Sequence, residues 1–529
     1  MVWGCGTPNP GSGVVSGFDR TGTLWAPYLE WEVENPSYSG NPFDLVATVT
    51  FTHSASGATH TTEMFYDGGD TWKWRFTGTE IGTWTFESAS ADAELDGLSG
   101  TVTINPNPDT EAYGFVTEYE SATHTKWARQ KGNDGEIETF VPQFVMYEAP
   151  DYIYRHREAI DEDIRVFLQE HGFTGFHVPV LCHWFELGTE RCRSIDAEDP
   201  DPDPRTFEAL ELLITKTHAA GGVVHLWMWG DESRTQTPAR WGLNGQADRR
   251  LQRYIAARLG PLPGWTMGYG FDLWEWVDGA TLDAWHDYLH AHFGWPHLLG
   301  ARSHKNRLTQ LSEKLDYASY EQHRPDYPLY LETIRARPDK PAFSEDRFRI
   351  RDGAPFREKD YSMEDTRRGL WHSTLAGGVA NIWGNLAGIP DQGLWYRVRR
   401  LFGRRTGSRP YPRPDWIRTY ATFWKERFLP DMEPCPELAE YCLGDPREGM
   451  YVVYVEEAGE VVLGLHAMPD TTAFRVVYVD TRQPYEEQGF CRMVTGRVAG
   501  VSFPHVSDWA VALEHSGQDD PLCERFMGK

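Results

Sequence analysis

Two apolar runs in this chain each end in carboxylates. In KPAFSEDRFRIR, Lys340 to Arg351, the run Pro341-Ala342-Phe343 stops in Ser-Glu-Asp-Arg, and Glu345 is the first acid after the apolar stretch. In WTMGYGFDLWEW the run stops in Asp272 and Glu275. Strand alternation puts Gly268, Gly270 and Asp272 on one face, so Asp272 is preferred over Glu275 as the partner of Glu345. Cleaving a glycosidic bond takes one carboxyl group that protonates the leaving oxygen and a second that attacks the anomeric carbon or activates water. Taken alone, Ser-Glu-Asp-Arg would read as a salt-bridged surface turn, and other strand ends supply the context.

Those ends are His183-Trp184-Phe185-Glu186, Trp227-Met228-Trp229-Gly230-Asp231, Arg302-Ser303-His304, Tyr320-Glu321-Gln322-His323 and Trp383-Gly384-Asn385. Flat aromatic faces and polar groups side by side are what a sugar needs, one to stack on and one to bind its hydroxyls. The candidate substrate-binding set is therefore His183, Trp184, Trp229, Asp231, Arg302, His304, Tyr320, Arg347, Trp383 and Asn385, expected to face one mouth. Each Trp taken singly reads as core. The aromatic excess points the same way, with 22 Trp, 24 Tyr and 26 Phe making 14% of the chain.

No cofactor and no metal is called for. The seven cysteines lack CxxC spacing and read as mostly free thiols, with Cys182/Cys192 and Cys435/Cys442 able to pair locally. The acidic run Ile195 to Arg205 lacks the EF-hand spacing and its glycine, and reads as a solvated loop. Acidic residues outnumber basic ones 78 to 51, a formal charge of −27, which excludes nucleic acid and anionic membrane as partners. The N-terminus has neither a basic start nor an apolar core, and no run approaches the ~18 apolar residues of a membrane span. As it stands the chain reads as soluble and cytoplasmic, or as secreted or periplasmic if a signal peptide was trimmed. Oligomeric state stays open.

The elements that must position these residues follow from periodicity. Residues 1–22 are rich in Gly, Pro and Ser and read as a flexible arm. Over 23–106 apolar and polar residues alternate in short runs between turn residues, which predicts a β-sandwich. A polar connection, 107–137, follows. From 138 to 430 apolar strands alternate with amphipathic helices, with strands expected at 139–147, 175–185, 223–230, 265–272, 297–303, 316–321, 340–345 and 379–385. Helical stretches such as RHREAIDEDIRVFLQEHG end at glycine, as a left-handed C-cap requires. Eight strands close a barrel, and no GxGxxG follows the first of them, against a dinucleotide fold. In 431–529 the period of two returns and predicts a second sandwich. The expected fold class is multidomain α/β, a central (β/α)8 TIM barrel flanked by N- and C-terminal β-sandwich domains.

Two stretches carry a family resemblance. NPFDLVATVTF followed by MFYDGGDTWKWRFTGTEIGTWTFES resembles the small DUF5060-like β-sandwich that precedes the catalytic barrel in a group of bacterial glycoside hydrolases. KPAFSEDRFRIR followed by DTRRGLWHSTLAGGVANIWGN resembles the signature of the apiosidase-like (DUF4038-like) barrels of the large retaining glycosidase clan. That resemblance implies an acid/base at the end of strand four and a nucleophile at the end of strand seven, the positions of Asp272 or Glu275 and of Glu345. Strand four departs from the clan, whose members often end it in Gly-Asn-Glu or Gly-Gly-Asp, so substrate identity does not carry over. The expected activity is hydrolysis of a glycosidic bond in a poly- or oligosaccharide. A polysaccharide lyase would want the same Trp, Arg and His but a Tyr or His base, and a non-catalytic carbohydrate binder would need no acids at matched strand ends.

Overall fold

The computed structural model describes residues 17–147, 157–187, 199–230, 242–303, 312–350, 360–384, 411–464, 473–493 and 498–515. Its centre is a set of parallel strands: β1 (Gln143–Met146), β2 (Gly175–Pro179), β3 (Val223–Trp229), β4 (Trp265–Gly270), β5 (Leu299–Gly300), β6 (Ala318–Tyr320), β7 (Ala342–Ile350) and β8 (Ala380–Trp383). They pair in the order β5-β4-β3-β2-β1-β8-β7-β6, and one parallel bridge, Ser303 to Tyr320, brings the two ends together. The result is a nearly closed eight-stranded parallel barrel flanked by antiparallel sheets.

Around it lie a helical stretch through Ile160–Asp163 and Ile164–His171, then α1 (Pro204–Ala219), α2 (Gln246–Leu259), α3 (Gly279–His292), α4 (Tyr327–Ala336), α5 (Met363–Leu375) and α6 (Pro414–Trp424). The first stretch stops at Gly172 in the left-handed conformation, φ 92°, where its N–H returns to the carbonyls of Leu168 and Phe167. A side chain there would also meet the β-carbon of Ala421 on α6 at 2.3 Å.

Strand five is shorter than its apolar run suggests, two residues instead of seven, and strand seven is longer, running on to Ile350. Between Ser344 and Arg347 the register of β7 against β8 shifts: Ser344 pairs with Asn381 but Arg347 with Ile382. Glu345 and Asp346 are the extra residues, and such a bulge re-aims side chains that strict alternation would send to opposite faces.

The N-terminal sandwich packs the sheet of Arg20–Thr23, Ser99–Asn105, Gly82–Ser90, Ala47–His53 and Thr59–Glu63 on that of Leu29–Glu34, Thr71–Phe76 and Phe65–Gly68. Trp31 and Trp74 stack in its core at 5.9 Å, with Phe51 and Phe86 against them. Its junction with the barrel is a buried ion network. The carboxylate of Glu211 on α1 takes Arg75 of the sandwich at 2.9 Å and Arg258 of α2 at 2.6 Å, and Arg258 reaches Asp67 at 3.1 Å.

The stretch 107–137 is more than a connection. The strands Tyr113–Glu120, Thr125–Lys131 and Glu136–Thr139 form an antiparallel sheet. Val116, Trp127 and Phe140 from it join Phe144, Val223, Tyr317 and Phe343 in one apolar cluster inside the N-terminal end of the barrel. Trp127 donates its indole N–H to the carbonyl of Ala342 at 2.8 Å. Polar residues that made this stretch read as a linker are bonded within the fold: Lys126 is buried with its ammonium on the carbonyls of Pro430 and Met432, and Arg129 binds Glu138 at 2.7 Å.

The C-terminal part is one six-stranded antiparallel sheet: Glu433–Pro434, Tyr441–Asp445, Met450–Gly464, Val498–His515, Ala473–Asp480 and Gln488–Met493. Its two long strands are interrupted between Val455 and Glu460, and residues on either side of the break, such as Val453, Val461, Phe503 and Trp509, share a core. The other face packs on α5, where Arg367 is buried against Asp508 and Tyr454. Cys435 and Cys442 are joined by a disulfide, and Cys182 is also disulfide-bonded, correcting the expectation of mostly free thiols. No helix among the described residues is long and apolar enough to cross a membrane.

Candidate active site

Glu345 is fully buried inside the barrel. Trp227 on β3 donates its indole N–H to Glu345 Oε1 at 2.8 Å, and the hydroxyl of Tyr317, just before β6, donates to the same oxygen at 3.2 Å. Below them His177 and His225 meet Nδ1 to Nδ1 at 2.7 Å, and His225 Nε2 lies 3.2 Å from the Tyr317 hydroxyl and 3.5 Å from Glu345 Oε1. Tyr317 has one proton and gives it to Glu345, so His225 Nε2–H donates to Tyr317 and His225 Nδ1 accepts from His177. Burial lowers the His225 pKa to about 3, so this ring stays neutral. The chain of donors ends on Glu345 Oε1, while Oε2 has no hydrogen-bond partner among the described residues.

Burial pushes the Glu345 carboxyl up to about 7, against the opposing pull of Ser319, Trp227, Arg302 and Tyr317. Room for this side chain comes from β4 and β5. A β-carbon at Gly268 would stand 2.0 Å from Glu345 Oε1, and one at Gly300 would stand 2.3 Å from the Tyr317 ring.

Above Glu345, Arg302 gathers the acids of β4, β6 and β7. Its Nη2 is 2.6 Å from Asp272 Oδ1 and 3.7 Å from Glu321 Oε2, and its Nη1 is 3.0 Å from Asp346 Oδ1 and 3.5 Å from the carbonyl of Glu345. His323 Nδ1 meets Asp346 Oδ2 at 2.9 Å. Burial alone would weaken the Arg302 charge, but Asp346, Glu321 and Asp272 around it raise its pKa, so the guanidinium stays charged. Asp272 follows β4 in the left-handed conformation, φ 54°, and its side chain is about a quarter exposed. Backbone strain of this kind in a non-glycine residue clusters at functional positions.

Of the sequence-predicted set, Glu345, Asp272 and Arg302 come together here. Trp229 lies on β3 two and four residues beyond Trp227 and His225, on the barrel-facing side by alternation. Glu275 sits on the exposed turn after Asp272, and His183 is buried in the turn after β2. Three expected members point away from the mouth. Trp184 packs on Phe207 of α1 at 5.3 Å and donates to the Met228 carbonyl. Tyr320 lies with Leu329, Tyr330 and Ile334 of α4. Trp383 donates to Gln143 Oε1, and α5 approaches its ring at Gly369. Each falls on the helix-facing side; for Tyr320 and Trp383 this is strand parity, which a list of strand-end residues ignores, while Trp184 lies in the turn after β2. Asp231, His304 and Asn385 lie outside the described residues, as does the side chain of Arg347. The acidic run reads differently too: Asp199 and Asp201 both bind Arg250 at 3.0 Å, with Asp44 opposite at 2.7 Å, so an arginine holds the place of a cation.

The site residues outside the candidate set are Trp227, Tyr317, His225, His177, Asp346 and His323; Glu321, with Glu186, is the next acid pair that the strand ends offer. His225-x-Trp227-x-Trp229 and Tyr317-x-Ser319-x-Glu321 each sit at a spacing of two, and following that spacing inward from the strand ends would have found most of them.

Residues 24–91 match the model of a family described as a domain of unknown function, DUF5060. No curated protein matches the chain. Solved structures share its fold, and three illustrate the likeness. One from Bacteroides vulgatus ATCC 8482, solved as a candidate glycoside hydrolase, superposes with a TM-score of 0.71 at 17% identity over 94% of this chain and 100% of its own. A glycoside hydrolase follows at 0.53, 11% identity, 77% of this chain and 98% of its own. A family 5 glycoside hydrolase from the same Bacteroides strain gives 0.52 at 12% identity, covering 77% and 94%. At these identities the likeness is one of fold: a barrel of this kind with its flanking sheets is the architecture this chain shares with them.

Proposed function

We propose that the chain is a glycoside hydrolase acting on an oligo- or polysaccharide by a retaining mechanism, with Glu345 as nucleophile and Asp272 as general acid/base. One observation carries the reading: a fully buried carboxyl on β7 with one oxygen held by donors and the other without a partner among the described residues, facing a wall of β4 cleared by Gly268 and followed by Asp272. Donors on Oε1 fix the carboxylate while Oε2 is left to attack. Arg302 ties Asp272 to the same cluster. The glycoside hydrolases among the fold's relatives support the reaction class, and the carbohydrate is its substrate.

A second assignment of roles has its own support. Burial favours a protonated Glu345, and Arg302 binds Asp272 at 2.6 Å. A protonated Glu345 suits the acid's role, which leaves Asp272 as the attacking carboxylate. Labelling decides between them. Released sugar is first sought with aryl glycosides and plant, algal and bacterial polysaccharides. A 2-fluoro glycoside matched to the best substrate should then leave its mass on the peptide holding Glu345, and the first product seen by NMR should keep its anomeric configuration. A label on Asp272 would exchange the roles, inversion would remove the covalent step, and product absorbing in the ultraviolet without hydrolysis would mark a lyase.

A further inference from the structure

On α3, His286 and His290 are four residues apart and share one face, their ring centroids 4.3 Å apart. The turn entering β6 brings Asp316 against them, with Oδ1 3.4 Å from His286 Nε2 and Oδ2 2.9 Å from His290 Nε2. One ligand atom from each of the three lies within 4.8 Å of the others. We propose that His286, His290 and Asp316 bind a divalent transition-metal ion of the zinc class, which ties α3 to the seam where the barrel closes.

The donor set suits this ion: two imidazole nitrogens and a carboxylate leave a fourth position for water. Zinc bonds of about 2.0–2.1 Å in a tetrahedron put ligand atoms about 3.3–3.4 Å apart, close to the spacing here. His286 and Asp316 each have an outer partner of the kind that orients metal ligands. The Tyr269 hydroxyl is 3.3 Å from His286 Nδ1, so an Nδ1–H donated to it leaves the Nε2 lone pair aimed at the ion. The backbone N–H of Leu299 donates to Asp316 Oδ2 at 2.7 Å.

Charge separates this cluster from the other one of similar composition. Glu321, His323 and Asp346 also converge, but Arg302 stands among them and supplies the positive charge. Asp316 has no Lys or Arg ion pair among the described residues, and its ion-pair partners there are the two histidines. A largely buried carboxylate is ordinarily paired or bound to metal. His290, about a third exposed, gives the ion a way in.

The position suggests the role. Strand β5 is two residues long, and Asp316 extends its pairing by donating its own N–H to the Leu299 carbonyl at 2.8 Å. An ion held by Asp316 and α3 braces this thin edge from outside, at the barrel end opposite Asp272.

The test uses the untagged full chain and needs no substrate. After dialysis against EDTA, zinc chloride should bind one ion per chain by calorimetry, raise the melting temperature, and be replaceable by Co2+ with the visible absorption of a four-coordinate site. His290→Ala, at the partly exposed ligand, and Asp316→Asn should keep the circular dichroism spectrum and lose both the heat and the thermal shift. Tyr269→Phe should weaken binding about 10- to 100-fold, as loss of an outer partner does. Absence of heat and of a thermal shift in the wild type overturns the proposal, as does zinc binding that His290→Ala leaves unchanged; the cluster is then a hydrogen-bonded His-Asp-His network.

Discussion

Gly268 and Glu345 face each other across the barrel so closely that a β-carbon on the glycine would stand 2.0 Å from the carboxylate Oε1. The same added carbon would meet Trp227 Cδ1 at 2.9 Å and the Tyr317 hydroxyl at 3.1 Å, the two groups that hold that oxygen. Gly268→Ala should therefore swing the carboxylate out of place while the strand survives. Displacement of this size at a reacting group costs on the order of 100-fold in rate. Steady-state kinetics of the variant on the best aryl glycoside, with a melting curve beside them, check this; near-normal turnover would mean Glu345 is not the reacting group.

Glu345 also carries a pH signature. Its proton is held more tightly in the folded chain, with a pKa of about 7, than at the ordinary value of 4.5. The stability this supplies is complete below pH 4.5 and is lost as pH rises to 7, on the order of 3 kcal/mol in all. Glu345→Gln cannot titrate, so its denaturant stability relative to the wild type should increase between pH 5 and pH 8. Its turnover should be nearly abolished at every pH, since the covalent step needs the carboxylate. If Glu345 attacks, wild-type kcat/KM should rise with pH through about 7.

Arg302 is the one described cation that spans the acids of β4, β6 and β7 at the mouth. Arg302→Met removes the guanidinium that the buried Asp346 and Glu321 share with Asp272. Breaking a buried pair by removing one partner costs about 3–5 kcal/mol. Arg302→Lys should recover little, because a point ammonium cannot bond Asp272 and Asp346 together as the guanidinium fork does. Urea denaturation of the two variants measures both statements.

The N-terminal sandwich should behave as part of the barrel's structure. Glu211→Gln leaves Arg75 and Arg258 buried with their shared carboxylate gone, a loss of about 3–5 kcal/mol by the same reasoning. Deleting residues 1–106 also exposes Phe65's neighbours on α2 and should leave a chain of low solubility. A soluble, fully active truncation would show the sandwich to be dispensable.

Some of this was local enough to read from residue order alone. Alternating strands and helices declare a parallel barrel because each element's apolar period is set by its own backbone geometry. The acids at strand ends, and the glycines Gly268 and Gly270 preceding Asp272, are local for the same reason, and so is the His286/His290 spacing on one helix.

The rest required the chain to close. Whether Tyr320 and Trp383 face sugar or helix depends on the parity of each strand, which one residue of slip reverses, and Trp184 is placed by the turn after β2. The bulge of β7 turns both Glu345 and Asp346 inward, and that depends on pairing with β8. Residues 107–137 became a plug because the open end of a barrel offers apolar surface that a half-polar sheet can cover. Asp272, Arg302 and Glu345 are separated by tens of residues, as Asp316 is from His286. Only the tertiary structure makes neighbours of them, since burial raises the Glu345 pKa and the Arg302 guanidinium binds Asp272 through contacts that no stretch of sequence contains.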